Sequence, residues 1–204
     1  MHIVDGAVSL PVLAAGAAFT AGGVALGLRR LPVDRIPQAA LLSAVFFVAS
    51  LVHVPAGPAS VHLILNGLLG LMLGWAAFPA LLIALLLQAV LFGFGGLLVL
   101  GVNTFNMAMP AVICYYLCQP GIRATGPGGG FVWGGVAGGL AVLLSALLTG
   151  LSLALSGQEF IPAAQLVFIT NLPVMLIDGL ITGAAVLLMG KVKPEALAAA
   201  RATI

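Results

Sequence analysis

The chain has 204 residues, 62% of them hydrophobic and 6% charged, with seven Lys or Arg against five Asp or Glu and a net charge of +2. A soluble domain is about 25% charged and needs a polar skin that so few ionised side chains cannot supply, so a water-soluble fold is excluded. The basic residues are scattered rather than run together, which excludes a nucleic-acid partner.

The opening MHIVDG contains no Lys or Arg, so it does not read as the start of a signal peptide, and no cleavage is expected. The bulky His2 predicts that Met1 stays in place with a free amine. Apolar runs long enough for spanning helices then follow at residues 10–28, 38–52, 60–77, 80–92, 104–117, 131–155 and 163–189. The breaks between them carry turn-formers and charges: Arg29-Arg30 with Pro37, then HVPAGPAS, then Phe78-Pro79. GFGGLLVLGVN reads as a glycine-rich outer loop or re-entrant piece, and QPGIRATGPGGG as a loop. The sequence closes on a polar-faced tail at 190–204.

Charge placement orients these spans. With the amino terminus outside, all seven basic residues, from Arg29 to Arg201, fall in inner segments, while Asp5 and Glu159 fall in outer ones. The expectation is an all-α integral membrane protein of seven transmembrane helices, with its amino terminus outside and its carboxyl terminus cytoplasmic. It forms a single domain over 1–204. Cys114 and Cys118, four apart in one apolar run, form neither a disulfide framework nor a CxxC motif, and packing explains them as well as metal does.

This topology gathers every imidazole on the outer side: His2, His53 and His62. Asn103 and Asn106 fall at the outer end of the fifth span, and Asn66 one helical turn below His62 on the same face. Alone, His53 reads as a solvated loop residue. His62, opening an apolar span, is either a ligand or a residue reaching for headgroups. His2 either frays, as most termini do, or chelates. An amine, the peptide nitrogen of residue two and its imidazole Nδ1 can wrap one ion in two fused rings. Deprotonation of that peptide nitrogen suits ions favouring a tetragonal nitrogen field, Cu(II), Ni(II) and by extension Co(II), and one further imidazole completes the plane.

Four stretches taken in order, MHIVDG, GPASVHLILNGLLGLMLG, LLLQAVLFGFGGLLVLGVNTFNMA and NLPVMLIDGLITGAAV, resemble the cobalt/nickel substrate-binding (S) component of energy-coupling factor transporters, the CbiM/NikM family. The resemblance implies a membrane component that captures Co(II) or Ni(II) from outside as transported substrate, with no permanent cofactor. It implies metal ligands at Met1, His2 and His62 within a terminal segment, residues 1–8, inserted into the bundle. Asn103 and Asn106 match a family segment near the site. His53 and Asn66 are weaker candidates, and Val61 stands where many relatives have glycine. Asp178, followed by Gly179, falls where an acid and a glycine are familiar in the family, at mid-span, where an acid must be protonated, hydrogen-bonded or inward-facing.

No GxxxxGK[ST] loop is present, so ATP is not harvested by that route. The resemblance implies partners that do so: a transmembrane coupling (T) subunit, paired ATPase subunits and, in some relatives, a small auxiliary membrane subunit, in a bacterial or archaeal cell membrane. The chain itself is expected not to be an enzyme. The alternative is a stand-alone metal permease or channel without ATPase partners, although a pore needs a continuous polar lining. An intramembrane hydrolase around Ser145 or Ser152 lacks a GxSxG-like context. Small residues recur at Ala14, Ala18 and Gly22, and at Gly134/Gly138 and Gly135/Gly139, a spacing that suits helix contact within the bundle or with a partner.

Overall fold

A computed structural model describes residues 2–51, 53–56, 59–125, 127–192 and 197. In chain order the elements are α1 (Leu10–Arg29), α2 (Ile36–Ala49), β1 (His53–Ala56), β2 (Ala59–His62), α3 (Asn66–Leu73), α4 (Ala77–Phe92), α5 (Leu100–Ala124), α6 (Pro127–Ala154) and α7 (Ile161–Val192). Among the described residues, four stretches are long and apolar enough to cross a membrane: Leu10–Arg29, Asn66–Phe92, Gly128–Ala154 and Gln158–Val192. The chain is a helical, multi-pass membrane protein. Its helices are inverted relative to soluble ones. On α7, Leu176, Leu180 and Leu188 stand exposed while Asn171, Asp178 and Thr182 are buried, as expected where lipid surrounds the bundle.

The structure corrects the reading of the sequence in several places. The helix expected from residue 60 begins at Asn66, because residues 59–62 pair as a strand with 53–56. His62 therefore ends a strand, and Asn66 is not a turn below it on one helical face. Two prolines and a glycine ended α2 as expected, but the chain answered with a hairpin rather than a loop. The break between α3 and α4 falls at Gly74, whose φ of +54° suits a residue without Cβ, and Phe78 and Pro79 lie inside α4. QPGIRATGPGGG is mostly helical: α5 runs on to Ala124 with Pro110 and Pro120 inside it, and α6 starts at Pro127. The glycine-rich segment after Phe92 is non-helical, with positive φ at Gly93, Gly95 and Gly96.

Glycines let the helices close on one another. A Cβ on Gly138 of α6 would lie 2.6 Å from the Asp178 carbonyl of α7, and one on Gly134 would lie 2.9 Å from Val186. The expected stripe on α1 faces the other way. Ala14, Ala18 and Gly22 are exposed, whereas Gly16, Thr20, Gly23 and Gly27 form the buried face.

The bundle has two chemically different ends. At one, Arg30 Nη1 donates to the Tyr116 hydroxyl at 3.3 Å and Trp75 Nε1 donates to the same oxygen at 3.1 Å. At the other, residues 2–5 pack against the loop before α5.

Candidate metal centre

Within residues 2–8, His2, Ile3, Ala7 and Val8 are buried and Val4, Asp5 and Gly6 are exposed. Ile3 is wholly buried, and Asn103 in the first turn of α5 grips its main chain twice. Ile3 N–H donates to Oδ1 at 2.9 Å, and Nδ2 donates to the Ile3 carbonyl at 3.0 Å. One side-chain amide thus satisfies both main-chain groups as a neighbouring strand would. Asp5 adds two ties. Its N–H donates to the Gly95 carbonyl at 3.3 Å, and its Oδ1 accepts from Val99 N–H at 3.1 Å, just ahead of α5. An acid at that position satisfies a donor at the helix start and complements its dipole.

The glycine-rich loop is the collar around this segment. Gly95 has φ +74°, and a Cβ there would lie 3.0 Å from Asn103 Nδ2 and 3.4 Å from His2 Cβ. At Gly96 a Cβ would collide with the Asp5 carboxyl group. The glycines thus allow the loop backbone to touch the segment.

His2, 3% exposed, stacks on His62, 2% exposed, with ring centres 4.6 Å apart and planes 24° from parallel. Phe46 of α2 meets the His62 ring in a T-shaped contact, with centres 6.5 Å apart and planes 88° from parallel. The His62 Nδ1 lies 2.8 Å from the Leu63 carbonyl. A carbonyl only accepts, so Nδ1 carries a proton, and in the neutral ring the lone pair is on Nε2. Imidazole nitrogens bind first-row ions at about 2.0–2.1 Å, so two donors on one ion lie at most about 4 Å apart, on the scale of this ring separation.

The remaining candidates divide. Met1 lies outside the described residues. His53 is the ladder partner of His62 in the hairpin register. Asn66 turns its Nδ2 to the Met107 carbonyl and to Ser145 Oγ, each at 2.9 Å, and Asn106 donates to Ser152 Oγ at 3.2 Å. These two asparagines tie α3, α5 and α6 together. Cys114 and Cys118 are buried free thiols of α5. Among the described residues, no three His, Cys, Asp or Glu side chains come together as a metal cage. Sequence reasoning missed Asp5, Gly95, Gly96 and Phe46. The glycine pair carried the available signal, since positive-φ glycines next to a polar helix start mark close backbone approach.

A family model for the cobalt uptake substrate-specific transmembrane region matches residues 2–196. A protein of Haemophilus influenzae assigned to metal transport is 44% identical over 206 residues, which take in 97% of each chain. The cobalt transport protein CbiM of Geobacter sulfurreducens is 29% identical over 216 residues, 97% of this chain and 62% of that one. Among solved structures, a transition metal transporter superposes with a TM-score of 0.81 at 27% identity, covering 94% of this chain and 93% of the other.

Proposed function

Because the chain belongs to the family of the cobalt uptake substrate-specific transmembrane region, we propose that it is the substrate-capture component of an energy-coupled Co(II) or Ni(II) importer. The ion is held from outside by the Met1 amine, the main-chain and ring nitrogens of His2, and His62 Nε2. The observation that carries this reading is the pairing of two buried imidazoles with ring centres 4.6 Å apart, one of them, His2, in a segment pinned by Asn103. Burying a polar segment is costly unless its groups are used, and a planar nitrogen set uses main-chain as well as ring atoms. Such a set suits Ni(II) and Co(II) over ions that prefer oxygen ligands.

The same reading keeps the seven-span topology expected from the sequence, with the amino terminus outside in a bacterial or archaeal cell membrane and the residues after α7 as a cytoplasmic tail. Its support is the distribution of charge, with Arg29, Arg30 and Arg35 at the end opposite the histidines. A coupling subunit and paired ATPases would supply the energy, and the exposed small-residue stripe of α1 offers one face for close helix contact.

Isothermal titration of the purified chain with Co(II) and Ni(II) tests the site. One or two residues added before Met1 should abolish tight binding while leaving the melting temperature unchanged. Binding that persists through this extension and through His62→Ala would refute the proposal.

A further inference from the structure

Asp178 is wholly buried at the middle of α7, and metal capture as described above gives it no part. Its Oδ2 accepts the main-chain N–H groups of Ile64, at 3.2 Å, and Leu65, at 3.0 Å. These amides belong to the short connection between His62 and α3. The N–H of Ile64 and the carbonyl of Leu63 are two ends of one peptide unit, and it is this carbonyl that receives the His62 Nδ1 proton at 2.8 Å. A peptide unit is planar and trans, with its N–H and C=O pointing in opposite directions. A carboxylate that fixes the N–H end therefore fixes where the C=O points. Bonds in such a series also polarise one another in a low-dielectric interior.

The second bond holds a strained residue. Leu65 has φ +53°, the only positive φ of a non-glycine residue among those described, a left-handed conformation disfavoured for any residue that carries a Cβ. An acid this deep in the membrane is itself costly. The strained residue and the bonds of the buried acid both lie within the three residues that follow His62, which locates what they sustain.

We propose that Asp178 is a positioning residue for metal capture. Through the Leu63–Ile64 peptide it holds His62 in the Nδ1–H tautomer, so that Nε2 is the nitrogen offered to the ion. Metal-binding histidines ordinarily give their second N–H directly to a carboxylate or carbonyl; here a peptide group stands between carboxylate and ring. The inference rests on His62 being a metal ligand.

Imidazole 15N resonances of the metal-free protein in detergent micelles, with His62 assigned by His62→Ala, report the tautomer directly, and Ni(II) titration reports affinity. In the unaltered chain His62 should be a single Nδ1–H form. Asp178→Ala should let both tautomers populate and weaken Ni(II) binding about tenfold or more. Asp178→Asn, which keeps an acceptor oxygen, should restore the Nδ1–H form and recover affinity to within about threefold. Where Asp178→Ala does not fold, Asp178→Leu, near in volume and without an acceptor, takes its place. A residue that merely braces the fold would lower the melting temperature without moving the tautomer. An unchanged His62 ring in the Ala or Leu variant, or an Asn variant no better than either, would overturn the proposal. Should the unaltered chain bind neither Ni(II) nor Co(II), the transport reading falls, and the tautomer comparison alone decides the role of Asp178.

Discussion

The segment around His2 and the seam between α6 and α7 are both tightly packed, but by different means. At the first, side-chain amide and carboxylate groups seize particular main-chain atoms: Asn103 on Ile3, Asp5 on Val99, Asp178 on Ile64 and Leu65. At the second, Gly134, Gly138 and Gly183 let two helices touch along their length. Directional bonds fix where individual nitrogens sit, whereas close packing fixes only how far apart two rods lie. A site that recognises an ion by the placement of its donors needs the first, and the scaffold carrying it needs the second.

Substitutions at the two regions should therefore fail differently. The largest effect expected is from His2→Ala, which should remove measurable Co(II) and Ni(II) binding in calorimetry while leaving thermal unfolding unchanged. Asn103→Ala should follow, weakening the same binding about 10–100-fold and raising hydrogen exchange at Ile3, again with little change in unfolding. Gly138→Leu should invert the pattern. Its side chain meets the backbone of α7, so the melting temperature should fall by an amount equivalent to about 1–3 kcal/mol, and what metal binding is lost should track the unfolded fraction. Gly22→Leu on the exposed face of α1 should change both by less than about 0.5 kcal/mol. A fall in stability for Asn103→Ala as large as that for Gly138→Leu would erase the distinction between the two regions.

Much of the scaffold was legible from apolar run length. The expected and observed bounds of α1, α6 and α7 differ by a few residues, because uninterrupted runs between charged or turn-forming residues leave little choice. The hairpin was not legible: Pro55 and Pro58 read as breakers of helix, and nothing in so short a stretch announced strand pairing. Pro120 misled in the opposite sense, since helices in a membrane tolerate proline where neighbours satisfy the freed carbonyls. At the site, His2 and His62 stood out as imidazoles in an apolar chain. The grip of Asn103 did not, because its partners are main-chain atoms 100 residues away; Asp178 stood out as an acid that must be protonated, hydrogen-bonded or inward-facing, but its partners, 113 and 114 residues away, were hidden for the same reason. Side chains that bind backbone leave no complementary partner in the sequence.

The clasp between residues 3 and 103 also sets an order of events in biogenesis. At about 5–20 residues per second of synthesis, Asn103 emerges roughly 5–20 s after Ile3. The main chain of Ile3 thus waits for its partner until synthesis has passed α1, α2, α3 and α4, and the clasp closes only once most of the helices it rests on exist.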